Sequence, residues 1–336
     1  MIDGIQKVSE EFLDENERSK CCDEDDNNNS FLPPFLHNIT EFDPELSTNI
    51  ENPNKPPQKK YVSTSTSSAN KKPKWWKRLA GRRGTKVQRA SMERMKVYMI
   101  PKTPYGTFLD LKELLTTDVQ TQTKNNLVDL PIWLEIGFGN GLNLLANAKN
   151  HTDRIFFGAE MHQPGVGNLC LRMEDEQHKE RSSMLEDNIS NKDGNSSKSK
   201  LKLYSNIRIY PGDGTKLLNE LPPNSIRSVL ITFPDPFINK NQEKWRIVQN
   251  ETINQIKRVL QPNCGRFYLA TDVEEYDIWT RTLFQGQEQQ NDDAYFWVEV
   301  DPTPPRKDWL PVISQYEEKG LREGRRTHLQ CWELCE

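Results

Sequence analysis

Cysteine and histidine are scarce in this sequence, and the two residue types do not occur together. The six cysteines are Cys21, Cys22, Cys170, Cys264, Cys331 and Cys335. None form a C-x-x-C pair, and the five histidines do not cluster with them. Because this spacing supplies neither a zinc ligand set nor a disulfide framework, we predict no metal site. Cysteines without a framework are typical of a reducing compartment.

Long apolar runs are also missing. No stretch approaches the roughly 18 apolar residues that a membrane-spanning helix requires. The first twenty residues are acidic, without the apolar core of a secretory signal or the arginines of a transit peptide. We therefore predict no membrane association and a location in the nucleus or cytoplasm.

Hydrophobic residues make up only 34% of the chain, whereas 28% of the residues are charged. This lean composition predicts that sizeable parts of the chain stay outside a packed core. Residues 1–70, rich in Asn, Ser, Glu and Asp, are predicted to be a disordered acidic and polar tail. Charge is separated in blocks, with 13 acidic and 3 basic residues over 1–50 and 12 basic against 1 acidic over 51–90. Such blocks are typical of interaction tails.

A basic arm is predicted over residues 71–95, where Trp75 and Trp76 lie among lysines and arginines. One interpretation is a basic linker or nuclear-import signal. The other is an arm whose cations neutralise RNA phosphates while its indoles stack on bases. Both interpretations stay open at this point.

From about residue 130, strand-length apolar runs alternate with helix-like stretches. Near-continuous apolar runs such as VLITF indicate strands buried on both faces, as in a parallel sheet. A helix is predicted over Lys244–Leu260, and residues 174–205 are too polar for a core element and are predicted to be a surface insertion. The alternation predicts a doubly wound α/β fold with a hairpin-like closing pair. The predicted strands are 131–137, 154–160, 206–210, 228–233, 266–271, 296–300 and 327–334.

The first predicted strand runs into a glycine-rich turn, in which Gly137, Gly139 and Gly141 follow Glu135. A dinucleotide fingerprint would need its third glycine at position 142, which is Leu142. An acid beside the loop would repel a pyrophosphate but suits a cationic ligand. S-adenosylmethionine, which carries a sulfonium, an α-ammonium and no phosphate, is therefore favoured over NAD.

Acids also end the next two predicted strands. Glu160 is placed to accept both ribose hydroxyls, and Asp213 is placed to accept a hydrogen bond from an adenine amine. Each acid alone has a simpler interpretation as a helix N-cap or turn residue. Three acids at consecutive strand ends favour a nucleoside-like cofactor instead. The following strands end in Asp235, bracketed by two prolines, and in Asp272.

These residues resemble the tRNA (guanine-N7-)-methyltransferase family, the TrmB-like enzymes. The resemblance covers most of residues 84–336, and the proline-bracketed acid and the HQPGVG element are its most specific parts. It implies a Rossmann-like class I methyltransferase over 96–336, with a doubly wound, mostly parallel seven-stranded sheet and an antiparallel edge strand. The matching stretches are GTKVQRA (84–90), LEIGFGNG (134–141), GAEMHQPGVGN (158–168), FPDPF (233–237), KWRIVQ (244–249), ATDVEEY (270–276) and SQYEEKGLREG (314–324).

The resemblance also implies roles for individual residues. Cofactor contacts fall on Glu135, Glu160 and Asp213 together with the three glycines, and the catalytic or guanine-orienting role falls on Asp235. Substrate contacts fall on Asp235, Asp272, Ser314 and Glu317. The chain departs from the family at Asn239, where a substrate-binding lysine is usual, so we expect Lys240 to substitute. Phe237 stands where the family has tryptophan, and Ser314 where it has threonine.

The implied reaction is methylation of guanine N7 at position 46 in the tRNA variable loop. Because N7 has a free lone pair, no base is needed, and His162 and Cys170 are expected to be structural. Expected RNA contacts are Lys71–Arg89, Lys240, Lys244, Arg246 and Arg322–Arg326. The alternatives are a catalytically weak RNA-binding or scaffold homologue and a methyltransferase for another substrate. Some relatives work with a non-catalytic β-propeller subunit, and the motifs leave that partner open.

Overall fold

The computed structural model describes residues 83–116, 127–190, 203–288, 295–301 and 303–336. The predicted tail over 1–70, the beginning of the basic arm and residues 191–202 of the predicted insertion lie outside these ranges. Among the helices that are described, none is long and apolar enough to span a membrane.

Seven strands form one sheet in the order β3-β2-β1-β4-β5-β7-β6. Strands β1 to β5 pair in parallel, and β7 runs antiparallel to both β5 and β6. The seven-stranded, doubly wound, mostly parallel fold and the closing pair are thereby confirmed. The antiparallel strand itself lies one place in from the edge, which is formed by β6. The strands are β1 Ile132–Ile136, β2 Ile155–Ala159, β3 Ile207–Tyr210, β4 Ser228–Thr232, β5 Arg266–Thr271, β6 Phe296–Glu299 and β7 His328–Cys335.

Both faces of the sheet are covered by helices, because the strands carry apolar side chains on both sides. The helices are α1 Lys86–Arg94, α2 Leu111–Thr116, α3 Leu142–Asn150, α4 Gln163–Ser190, α5 Gly214–Glu220, α6 Asn250–Val259, α7 Glu274–Glu288 and α8 Gln315–Arg322. Ile132, Leu134 and Ile136 of β1 pack in one core with α5, α6 and α7. Trp133 packs in the other core with α3, α4 and Trp309.

The helix predicted from Lys244 begins only at Asn250, so its predicted start is wrong. The preceding residues form a 3-10 turn, Lys240–Trp245, followed by extended backbone. The reason lies in α7: the Val248 N–H donates to the Tyr276 hydroxyl (3.3 Å), and the Trp279 indole N–H donates to the Val248 carbonyl (3.1 Å). The backbone of Val248 is therefore bonded to another element instead of to a helix.

The first part of the predicted insertion is helical. Residues 174–190 continue α4, consistent with their content of Glu, Gln, Lys and Met, which are good helix formers. Gln177 is buried and donates to the Tyr98 hydroxyl (2.8 Å) and to the Leu203 carbonyl (2.9 Å). This stretch thus ties the segment after α1 to the entry of β3.

Candidate functional site: a cavity at the carboxyl edge of the sheet

A cavity of about 1530 Å³ opens at the carboxyl ends of the parallel strands. It lies where the strand order reverses between β1 and β4, the usual ligand position in open α/β sheets. Its wall brings together four of the predicted acids from four strand ends, Glu135, Glu160, Asp213 and Asp235, with Asp272 from a fifth. Ser314 lines the same cavity.

The glycine loop, Gly137–Gly141, presents its backbone to this cavity. Gly137, Gly139 and Gly141 have φ angles of 79°, 59° and 76°, in the left-handed region that glycine adopts without strain. A Cβ atom at Gly137 or Gly139 would meet nothing within 4 Å, so both face open space. At Gly141 a Cβ would lie 2.5 Å from the Leu169 side chain, so that glycine serves the packing of α3 on α4.

Glu160 braces the glycine loop. Its carboxylate accepts hydrogen bonds from the Gly139 N–H (2.8 Å) and from the His162 N–H (2.7 Å). The first turn of α4 then packs on the same loop, because a Cβ at Gly165 would lie 2.3 Å from the Gly139 carbonyl oxygen. The HQPGVG element thus supports the loop through Gly165, whereas Gly167 lets α4 pack against Gln88 of α1.

Glu135 is buried at the end of β1, with 4% of its surface exposed. Burial raises the pKa of its carboxyl to about 7, although the Asn143 amide (3.3 Å) and the Thr232 hydroxyl (3.4 Å) donate hydrogen bonds to it. The Oδ1 atom of Asn143 is buried without a hydrogen-bond partner among the described residues. The end of β1 therefore carries a buried carboxyl bonded to an amide whose oxygen has no partner among the described residues.

Asp213 begins α5 as its N-cap. Its Oδ1 accepts hydrogen bonds from the backbone N–H (3.1 Å) and the hydroxyl (2.8 Å) of Thr215. The simple helix-cap interpretation is therefore correct for this residue, and it is compatible with the side chain lining the cavity. A Cβ at Gly214 would lie 2.4 Å from Ile136, so the turn also packs on β1.

The FPDPF loop, residues 233–237, follows β4 and brings Asp235 to the lining of the same cavity. Its first and last residues have φ angles of 48° and 43°, a left-handed conformation that costs roughly 1–2 kcal/mol for a residue other than glycine. Asp235 faces the open cavity, so its surface is accessible, but surrounding protein displaces much of the bulk water. This desolvation raises the pKa of its carboxyl.

Comparison with known proteins decides the family. Residues 129–329 match the model of a family described as putative methyltransferases, which is more than half of the chain. The chain belongs to this methyltransferase family.

A tRNA (guanine-N(7)-)-methyltransferase of Vibrio vulnificus is 37% identical over 58% of this chain and 70% of its own length. One of Ruegeria sp. is 30% identical over 59% of this chain, which spans only 65% of that relative. These relatives confirm the resemblance to the tRNA (guanine-N7-)-methyltransferases. A solved antibiotic-related methyltransferase aligns at 14% identity over 69% of this chain with a TM-score of 0.38.

The remaining wall of the methyltransferase cavity carries basic and aromatic side chains together with the acids Asp272, Glu274 and Glu275. Asp272 accepts a hydrogen bond from Arg325 Nε (2.9 Å), and the same carboxylate oxygen forms an ion pair with a terminal nitrogen of Arg325 (2.8 Å). Asp272 also fills the space above Gly320, where a Cβ would lie 2.5 Å from its carboxylate. Further residues lining this wall are Lys244, Trp245, Tyr316, Lys319, Arg325, Arg326 and His328.

Two predicted substrate contacts are not brought to the cavity wall. Glu317 is 3% exposed, and its carboxylate accepts hydrogen bonds from Arg306 (2.6 Å) and the Thr327 hydroxyl (3.0 Å). Lys240 is exposed at the start of the 3-10 turn, outside the cavity lining, whereas Lys244 at its end lines the cavity. Ser314 lines the cavity and is the N-cap of α8, since its hydroxyl accepts from the Glu317 N–H (3.1 Å).

Arg246, predicted to contact RNA, is instead buried with 5% exposure. It donates from Nε to the Pro236 carbonyl (2.8 Å) and from a terminal nitrogen to the Phe237 carbonyl (3.4 Å). Arg246 lines the cavity, but its guanidinium is buried and bonded to backbone carbonyls, so we no longer assign it a phosphate contact. Sequence reasoning also missed Asn143, whose only signal is a polar residue just after the glycine loop.

Proposed function

We propose that this chain is an S-adenosylmethionine-dependent tRNA (guanine-N7-)-methyltransferase that acts on the variable-loop guanine at position 46. The observation that carries the proposal is the single cavity on which Glu135, Glu160, Asp213 and Asp235 meet the glycine loop. The names of the relatives in Vibrio and Ruegeria supply the substrate class.

The cofactor half of the cavity fits S-adenosylmethionine. The open space above Gly137 and Gly139 lets a ligand approach the backbone, and the unpartnered Asn143 oxygen lies beside the buried Glu135 carboxyl. We assign Glu135 and Asn143 to the cationic amino-acid end, Glu160 to the ribose and Asp213 to the adenine amine. When bound, this cofactor supplies a methyl group activated by a sulfonium.

The base half of the cavity needs to orient a guanine. Guanine N7 already has a lone pair, so catalysis rests on positioning, which supplies about 7–11 kcal/mol in well-oriented reactions. We assign the Asp235 carboxylate to the guanine edge, where it accepts hydrogen bonds from the N1–H or N2–H groups. A fixed negative charge there also stabilises the positive charge that the purine gains on methylation.

The basic side chains of the remaining wall are suited to the RNA backbone around that guanine. Lys244, Lys319 and Arg326 line the cavity mouth with exposed side chains. We assign phosphate contacts to them, with Lys244 rather than Lys240 as the cation nearest the base. Asp272 acts in this scheme through Arg325, whose guanidinium it orients, and Glu317 acts through the N-terminal turn of α8.

The decisive experiment is methyl transfer from labelled S-adenosylmethionine to unmodified tRNA transcripts that carry guanine or adenine at position 46. We expect guanine-dependent incorporation by the wild-type chain and none by Asp235→Ala, whose cofactor affinity should be largely unchanged. If the chain binds the cofactor but incorporates no methyl group, two explanations remain. The chain requires a partner such as a β-propeller subunit, or it has a scaffold role. Adding a β-propeller subunit from a related complex distinguishes them.

A further inference from the structure

The buried Arg246 has no place in the cofactor or RNA contacts described above, and its contacts indicate a different role. We infer that Arg246 is a positioning residue that holds the FPDPF loop in the conformation that directs Asp235 into the cavity. The inference rests on the proposed function for its catalytic consequence, but the positioning itself is testable without catalysis.

The FPDPF loop is fixed at both ends and strained at both ends. At its start, the Phe233 N–H donates to the Ala270 carbonyl of β5 (2.7 Å). At its end, the Arg246 guanidinium binds the consecutive carbonyls of Pro236 and Phe237. Since Phe233 and Phe237 both have left-handed backbone, the loop needs external bonds to persist in this conformation. Asp235 lies between the two anchors.

The site of the guanidinium is built for an arginine. Its carbon Cζ lies 4.8 Å from the Trp279 ring centroid and 5.5 Å from the Tyr276 ring centroid. The Glu243 carboxylate lies 3.9 Å from a terminal nitrogen. A planar fork donates to two neighbouring carbonyls while its faces contact aromatic rings, whereas an ammonium offers a point charge without such a plane. The ring contacts belong to α7, so Arg246 connects the loop to that helix.

Buried arginines also stabilise folds generally. An experiment must therefore distinguish a role of Arg246 in overall stability from a role in positioning the FPDPF loop. Arg258 provides a matched control within the same protein. It donates to the carbonyls of Leu221 (2.9 Å) and Leu218 (2.5 Å) at the end of α5, and it stacks 5.4 Å from the Phe108 centroid. Like Arg246, it donates to two backbone carbonyls, although it is half-buried and contacts one ring where Arg246 contacts two, and none of its partners lines the cavity.

The first test measures loop positioning in the full-length chain by hydrogen exchange of peptides that cover residues 233–238. We compare wild type with Arg246→Met, Arg246→Lys and Arg258→Met at a temperature at which every variant is folded by circular dichroism. We expect faster exchange in this peptide for Arg246→Met, intermediate exchange for Arg246→Lys, and wild-type exchange for Arg258→Met. Unchanged exchange in Arg246→Met, or equal acceleration in Arg258→Met, would overturn the inference.

The second test measures methyl transfer in a double-mutant cycle with Asp235→Asn. We expect Arg246→Met to lower kcat by about ten- to a hundredfold, the range for a misplaced catalytic group, with S-adenosylmethionine affinity within about twofold of wild type. In the Asp235→Asn background the same change should have little further effect, because the group that it positions is already lost. Full additivity, or full rescue by Arg246→Lys, would contradict the inference. If wild type transfers no methyl group even after a β-propeller subunit is added, the proposed function fails, and the exchange experiment still decides the positioning role.

Discussion

At the scale of single residues, the cofactor contact that we propose for the buried Glu135 should couple cofactor binding to the release of a proton. Its carboxyl has a pKa of about 7 because it is desolvated, so near neutral pH it is partly protonated before a ligand arrives. A cationic ligand favours the carboxylate and therefore releases a proton on binding.

We expect the affinity for S-adenosylmethionine to rise with pH up to about pH 7, approaching tenfold per pH unit on the acidic side. Titration calorimetry in buffers of different ionisation enthalpy measures both the affinity and the proton released. Glu135→Gln, which keeps the shape and loses the charge, should bind more weakly and without the pH dependence. An equally steep dependence in Glu135→Gln would show that another group carries the linkage.

Asp235 gives a second pH-dependent prediction. Desolvation raises the pKa of its carboxyl, so protonation begins at a higher pH than for an ordinary aspartate, whose pKa is about 3.9. Because the role that we propose for Asp235 requires the carboxylate, kcat/KM should fall as pH decreases through that raised pKa. Single-turnover rates across the acidic range test this, with Asp235→Asn as the variant that should lack the acidic limb. Persistence of the limb in Asp235→Asn would assign it elsewhere.

At the scale of elements, alanine substitutions at two helical glycines are expected to have opposite effects on stability. Gly165→Ala in α4 places a Cβ 2.3 Å from the Gly139 carbonyl oxygen. Because this oxygen belongs to the backbone, the clash cannot be relieved by a side-chain rotation. Gly286→Ala in α7 meets nothing within 4 Å and should stabilise the chain by about 0.5–1 kcal/mol. We expect Gly165→Ala to lower both the thermal midpoint and the cofactor affinity. A neutral Gly165→Ala in calorimetric melts and binding assays would show that the α4 turn does not brace the glycine loop.

The sequence was sufficient to place every strand and to bring the acids to one edge, because periodicity and strand ends are local properties. It failed where the outcome depends on partners distant in sequence. The exposed or buried state of Arg246 depends on Tyr276 and Trp279, and the carboxylate of Glu317 is directed by Arg306 and Thr327. The late start of α6 has the same origin, since α7 side chains bind the backbone of Val248.

At the scale of the whole molecule, the described core begins at Met95, and α1 docks on α4 just before it. Gln88 donates to Asn168 (2.8 Å), and Arg94 pairs with Glu174 (2.7 Å). We expect a chain that lacks residues 1–70 to unfold cooperatively at nearly the wild-type midpoint. Deletion through residue 95 should lower that midpoint, because the α1 contacts are lost. Calorimetric melts of both truncations check the pair of predictions, and a collapse of cooperativity in the shorter deletion would contradict them.

The placement of β7 between β5 and β6 also bears on how the protein is made. Five parallel strands and their helices leave the ribosome before β7, so the nascent chain carries an open β5 edge until His328–Cys335 emerges. An unpaired strand edge is a site for pairing with other chains. We therefore expect the nascent chain to be most prone to aggregation before β7 is synthesised, and a chain truncated upstream of residue 328 to keep an unpaired β5 edge.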